Sequence, residues 1–406
     1  MSVRATYLTL MLLSTLAASF IWGVNTLFLL SAGLSNAQAF AANAFFTVGQ
    51  VIFEVPTGIV ADVWGRRTSY LLGTLTLALT TMAYYYAWTI AAPFWIWAVI
   101  SVLLGLGFTF FSGATEAWLV DALAFTKFKG SLEAVFGQGQ AISGAAMLIG
   151  SVAGGVIAQF GGLGLPYIFR SLALLLTFSV AWFYMKDLGF TPLKGVKAID
   201  NIRRTFKDSL EHGLKNPPVR WMMLSGPFGA GVSFYAFYAL QPHLLKLYGD
   251  PTAYSIAGLA AAIVAGSQIV GGLSASKVRK YFKLRTSILI TAAILGTLAL
   301  GLTAATTSFY LTILLLVVWG LTFSLMSPIR QAYLNGLIPT NQRATVLSFD
   351  SLMGSSGGVV IQPALGKVAD VSGYGASFAV GAGFQLLALP FMLLARREKP
   401  KSDIIS

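Results

Sequence analysis

Long apolar runs, broken only by short polar turns, follow one another along almost the whole chain and leave it few ways to fold. They lie at about 6–33, 37–62, 68–90, 94–123, 131–160, 165–187, 219–248, 253–277, 284–305, 308–338, 343–370 and 375–396. Each reaches the roughly 20 apolar residues that one bilayer crossing needs. A soluble domain carries about 25% charged residues, whereas this chain carries 10% with a mean hydropathy of +0.75. Such a chain cannot cover a water-facing surface, so lipid is its solvent. The expected class is an all-α membrane protein with twelve spans. The first run, Tyr7 to Leu34, is too long for a signal-peptide core and lacks a cleavage site, so it reads as span 1.

The formal net charge of +13 would point to nucleic acid in a soluble protein. Here the basic residues sit in the breaks between apolar runs. With the N-terminus in the cytoplasm, all of the 27 Lys and Arg except Arg170, Lys246, Lys367 and Arg330 fall on the cytoplasmic side or at its edge. The positive-inside rule therefore places both termini there, and shifting the topology by one span reverses the split. The expected location is a cell inner membrane, crossed many times. There is no cysteine, which excludes disulfides, thiolate metal sites and a cysteine nucleophile. No cofactor or metal and no nucleic-acid partner is expected, and the chain reads as a monomer.

A polar stretch from Leu188 to Pro218 separates six spans from six. Ile199, Ile202, Phe206, Leu210 and Leu214 recur there at helical spacing among Lys and Arg, which suggests an amphipathic helix on the membrane surface. The expected organisation is a six-helix bundle over 1–187, a linker over 188–218, and a second bundle over 219–406. The halves resemble each other. Ser112-Gly-Ala-Thr-Glu116-Ala-Trp-Leu in span 4 aligns with Ser327-Pro-Ile-Arg330-Gln331-Ala-Tyr-Leu in span 10. Arg67-Thr-Ser69 aligns with Arg285-Thr-Ser287, and Gly155-Val-Ile-Ala with Gly366-Lys-Val-Ala. A common offset makes duplication the simplest reading. Two six-span halves around a midplane site are a transporter architecture.

Spans 2 and 3 are joined by Gly58-Ile-Val-Ala-Asp62-Val-Trp-Gly65-Arg66-Arg67. This segment resembles the loop signature of the major facilitator superfamily, and together with the spans, linker and repeat the resemblance covers nearly the whole chain. It implies two helix bundles that rock about a central cavity with alternating access. Gly58 is expected to admit a close neighbour, and Gly65 a tight turn. Asp62 is expected to cap the next helix or pair with the arginines. The resemblance implies that Asp121, at the end of span 4, pairs with Arg66 or Arg67 to latch a cytoplasmic gate. The bland alternative is plain positive-inside charge around a turn. Gly150-Ser-Val-Ala-Gly154-Gly155 in span 5 is similar to a glycine motif of drug–proton antiporter exporters, with Ser151 where those carry proline. Ordinary small-residue packing explains it equally well. Those exporters also place an arginine in span 4, where this chain has Ser101.

Ionisable residues within spans are expensive and mark function by default. Glu54 in span 2 and Glu116 in span 4 lie roughly 12 Å from the cytoplasmic edge, at 1.5 Å of rise per residue. A carboxylate held in low dielectric can load and release a proton near neutrality, so this pair is the candidate for proton coupling or for holding a cationic substrate. Alternatively one of them ties a helix end. Arg330 and Asp350 have opposite sign at matching depth, which points to a buried ion pair between spans 10 and 11, structural or gating, or to an anchor for an anionic substrate.

In the superfamily, spans 1, 4, 7 and 10 line the cavity. They would contribute Trp22 and Asn25, then Phe108 and Phe111 beside Glu116. Spans 7 and 10 would add Tyr235, Tyr238 and Gln241, then Trp319, Phe323, Met326 and Gln331. Such soft, aromatic walls suit an amphipathic ligand, unless many of these rings merely pack against lipid or neighbouring helices. The leading reading is a proton-coupled exporter of a hydrophobic or amphipathic small molecule. A carrier of organic anions anchored by Arg330 is the alternative. A membrane enzyme finds little support here: there is no HExxH and no P-loop, and there are only two histidines, His212 and His243. A channel fits poorly with a two-half repeat.

Overall fold

A backbone surrounded by lipid must satisfy its own N–H and C=O groups, and only helices do so within one segment. The computed structural model describes residues 1–111, 114–192, 214–339 and 343–405, and it is all-helical across the membrane-crossing runs. Span 1 is divided into α1 (Val3–Ser19) and α2 (Asn25–Ser31). Span 2 is α3 (Asn36–Trp64) and span 3 is α4 (Arg66–Thr89). Span 4 comprises α5 (Phe94–Thr109) and α6 (Ala114–Phe125). Spans 5 and 6 are α7 (Leu132–Gly161) and α8 (Leu165–Tyr184). In the second half, α9 (Pro217–Tyr248), α10 (Tyr254–Val278), α11 (Arg285–Ala305) and α12 (Phe309–Asn335) form spans 7 to 10. Helix α13 (Arg343–Leu386) carries span 11 and opens span 12, turning at Gly373 with φ of 82°; α14 (Ala388–Arg397) completes it. Among the described residues, eight helical stretches are long and apolar enough to cross a bilayer unaided. The linker helix expected around Ile199–Leu210 lies outside the described residues.

The chain forms two compact units. The first takes Met1–Leu34, Phe45–Ala198 and Thr252–Ala262; the second takes Ser35–Ala44, Ile199–Pro251 and Ile263–Ser406. Two short segments thus cross the cut expected from sequence. The start of α3 belongs with the second half, and the start of α10 with the first.

Glycines set the closest approaches inside each unit. A Cβ on Gly150 would stand 2.6 Å from Ser19 Cβ, and one on Gly154 would run into the Phe20 carbonyl, so α7 lies directly on the end of α1. Gly155 faces Gly258 Cα at 2.8 Å by the same measure. In the second unit the equivalent pair, α9 and α13, meets at Gly357 against the Pro227 carbonyl, and at Gly231, whose Cβ would be 2.6 Å from the Gly357 oxygen. Close backbone contact of this kind is what small residues supply where lipid removes the hydrophobic drive between helices.

Candidate functional site

The break between α3 and α4 is built around Gly65. Its φ of +103° is open to glycine and costly for other residues, and an added Cβ would strike the Asp187 carboxylate. Asp187, just beyond α8, accepts from the Arg67 backbone N–H at 2.8 Å. It thereby satisfies a donor that the first turn of α4 cannot satisfy itself. Asp62 pairs with Arg66 one turn on. The Arg67 guanidinium donates to the Trp182 carbonyl at 2.7 Å and lies over the Trp182 ring at 5.1 Å. Arg66 sits 5.9 Å from the Phe190 ring centroid.

Two expectations for this loop are corrected. Asp121 makes no ion pair with Arg66 or Arg67 among the described residues. Both cations are drawn instead to Asp62 and to the end of span 6, and the Asp121 carbonyl faces Gly189. Gly58 has no close neighbour among the described residues: a Cβ there would meet nothing within 4 Å. This part of α3 stands clear of its own unit, for Val51, Ile52, Val55 and Pro56 are all exposed. Sequence reasoning missed Asp187 altogether, because its partner is 120 residues away.

The second half repeats the device with different residues. The N-terminus of α11 is capped by Asp403, which is 2% exposed. It accepts from Thr286 N and Thr286 Oγ1, both at 2.7 Å. Arg285 donates to the carbonyls of Ser402 and Ile404, and Ile404 bridges to Leu284. In each half, an acid that follows the sixth span caps the third.

The charges within spans fall into two kinds. Glu54 and Glu116 are both exposed on their helices, so neither is enclosed as the idea of a buried carboxylate pair required. Glu116 lies in the first turn of α6, in electrostatic reach of Tyr7. It has no cationic partner among the described residues. Arg330 and Asp350, in contrast, form a two-pronged ion pair, with Nη2 2.6 Å from Oδ1. Arg330 Nη2 also donates to the Met222 carbonyl at 3.0 Å, and Asp350 is only 7% exposed.

The expected cavity residues divide in the same way. Asn25, Tyr235, Gln241 and Trp319 are buried. Asn25 accepts from the Tyr167 hydroxyl at 2.8 Å, Tyr235 bonds Ser377, and Trp319 stacks on Phe323 at 5.9 Å. Trp22, Phe111, Tyr238, Phe323 and Met326 are half-buried, while Phe108 and Gln331 are exposed. Helix rotation decides this division, and sequence does not supply it.

The profile of the Major Facilitator Superfamily matches residues 7–361 and, again, 283–406. An uncharacterized MFS-type transporter of Methanocaldococcus jannaschii is 19% identical over 372 residues, 92% of each chain. Among solved structures, the nucleoside transporter NupG superposes with a TM-score of 0.82 at 13% identity, covering 97% of this chain and 99% of that one. A bacterial homologue of the human lysosomal transporter Spinster, inward-facing and unoccupied, gives 0.77 at 15% identity over 99% and 98%. A D-xylose–proton symporter gives 0.68 at 16% over 96% and 95%. At these identities the structures speak for the fold.

Proposed function

The chain belongs to the major facilitator superfamily, and on that footing we propose that it is a secondary active transporter, a proton-coupled exporter of a hydrophobic or amphipathic small molecule. It works by alternating access in a cell inner membrane, as a monomer with both termini cytoplasmic. The observation that carries the coupling is Glu116, an accessible carboxylate within span 4 and free of any cation among the described residues. A charge placed there is costly unless it serves transport. Protonation removes the charge, and deprotonation restores a site for a cationic or polarisable group. Glu54, exposed on span 2, is the second coupling residue. Arg66, Asp62 and Gly65 form the cytoplasmic loop that changes when the two access states exchange.

Export is favoured by the glycine run of span 5, which resembles that of antiporting exporters. The half-buried aromatics Trp22, Phe111, Tyr238 and Phe323 suit a soft ligand. The organic-anion alternative has less to stand on, since Arg330 already holds Asp350 with both terminal nitrogens.

The test is proton flux in proteoliposomes under an imposed pH gradient, with lipophilic cations, neutral amphiphiles and organic anions as trial substrates. Cations or neutral amphiphiles should drive proton exchange in the parent protein, and Glu116→Gln should abolish it. Flux with anions only, unchanged in Glu116→Gln and Glu54→Gln, would sink the reading.

A further inference from the structure

A buried histidine in the second unit has no part in the scheme above. His243 follows Pro242 near the end of α9 and is 5% exposed. Its Nε2 is buried and has no hydrogen-bond partner among the described residues. The ring lies 5.1 Å from that of Phe378 and 6.0 Å from that of Tyr374, both on α13. A buried polar nitrogen left without a partner is rare and calls for a reason.

Its neighbour Tyr374 belongs to a clamp. The Tyr374 hydroxyl donates to Asn36 Oδ1, on the first turn of α3. Asp370, one turn earlier on α13, accepts from Asn36 N at 2.8 Å, Asn36 Nδ2 at 2.9 Å and Ala37 N at 3.0 Å. A carboxylate from one helix thus caps the N-terminus of another, where both the free N–H groups and the helix dipole favour it. Gly366 lets the two backbones meet: a Cβ there would be 2.8 Å from the Asn36 carbonyl. Phe40 packs on Tyr235 at 4.6 Å behind the clamp.

We propose that His243 is a proton-binding site of the second unit, and that proton binding there is coupled to release of the Asp370–Asn36 clamp. With the clamp made, the imidazole is walled in by two aromatic rings, and Nε2 finds no acceptor for a second N–H. A charged ring has no compensation in such a place. When the first turn of α3 leaves Asp370, the Tyr374 hydroxyl loses its partner and water reaches the ring. The imidazolium then becomes tolerable. A ligand that prefers one state draws the equilibrium toward it, so acid favours release and base favours the clamp.

The ionisable surroundings support this sign. Lys246, one turn along α9, opposes a second positive charge. On α13 the neighbours are Tyr374 and Asp370, with Asp370 engaged by α3; exposed Lys367 lies earlier on that helix. Tyr235 shares α9 and bonds Ser377. Residues 36–44 of α3 carry no ionisable group. The charges from α12 and from the end of α14 that approach α9 do so at its other end, where Arg330 meets the Met222 carbonyl and Glu398 accepts from Trp221. This site is independent of Glu54, Glu116 and the nature of the substrate.

The chain contains two histidines and no cysteine, which makes the test direct. In a His212→Gln background, the Cε1 resonance of labelled His243 is followed by NMR from pH 4.5 to 8.5 in lipid. One titrating signal is expected. Its midpoint should move to higher pH in Asp370→Asn and in Asn36→Ala, by about tenfold in proton affinity or more. No titration, or one midpoint shared by all three proteins, overturns the proposal. As a second arm, Ala39→Cys places one buried thiol beside the clamp. Its labelling by a water-soluble maleimide, normalised to an exposed thiol, should rise severalfold at pH 6 over pH 8. This rise should vanish with His243→Gln; an unchanged rise also overturns the proposal. The titration needs no substitution at His243, so a poorly folding variant leaves that arm intact. Neither arm measures transport, so the outcome does not depend on the role of Glu116.

Discussion

Glu116 and Arg330 stand at nearly the same place in the two halves, since Glu116 aligns with the residue just after Arg330. Their treatment is opposite. Glu116 is exposed and has no cation to hold it among the described residues, whereas Arg330 is tied to Asp350 and to the Met222 carbonyl. The two halves share a packing device and differ in their charges. One half leaves its carboxylate exposed, and the other holds its charge in a joint between α9, α12 and α13.

The largest effect should come from breaking that joint. Arg330→Ala leaves Asp350 buried and alone, a change expected to cost on the order of 3–5 kcal/mol. Thermal unfolding in detergent should show it, with partial recovery in Arg330→Ala/Asp350→Ala. Absence of recovery would mean that the cation has another duty. Next, Gly154→Ala and Gly357→Ala should each lose about 1–3 kcal/mol, since a methyl must push apart two backbones. Similar losses would show that both halves depend alike on the approach of their first and fifth spans.

The caps come third. Asp187→Ala and Asp403→Ala should each cost about 1–2 kcal/mol by freeing helix-start N–H groups. Asp403 should be the costlier, as it serves two donors and is buried. The smallest change is expected at the open carboxylate. Glu116→Gln should alter stability by less than about 0.5 kcal/mol while removing proton-coupled flux. Equal destabilisation by Glu116→Gln and Arg330→Ala would erase the contrast between the halves.

The spans were legible because a bilayer imposes one length and one composition on every crossing. Arg330 and Asp350 could be paired in advance because two opposite charges at matching depth in lipid have few other choices. The loop around Gly65 was legible in its turn but not in its partners. Asp62 finds Arg66 within one turn, a local relation, whereas Asp187 reaches Arg67 through the fold. Asp121 was assigned by resemblance, and here its place is taken by Asp187 and Trp182. The cavity residues were the least legible. Tyr235 and Trp319 turn inward and Phe108 outward, and a rotation of a few tens of degrees separates these outcomes. The Ser35-Asn-Ala-Gln38 start of α3 is a reciprocal cap written in the sequence, with Gln38 N donating to Ser35 Oγ at 3.3 Å and Ser35 N to Gln38 Oε1 at 3.0 Å.

The two long-range caps also carry a consequence for biosynthesis. Arg67 must wait 120 residues of translation for Asp187, and Thr286 waits 117 for Asp403. In each half the third helix therefore stays unfinished at its start until the sixth has been made. Folding proceeds in order of synthesis, so the two caps close one after the other, although Thr252–Ala262 joins the first unit only later. The first can be sealed by Asp187 before any span of the second half has entered the membrane.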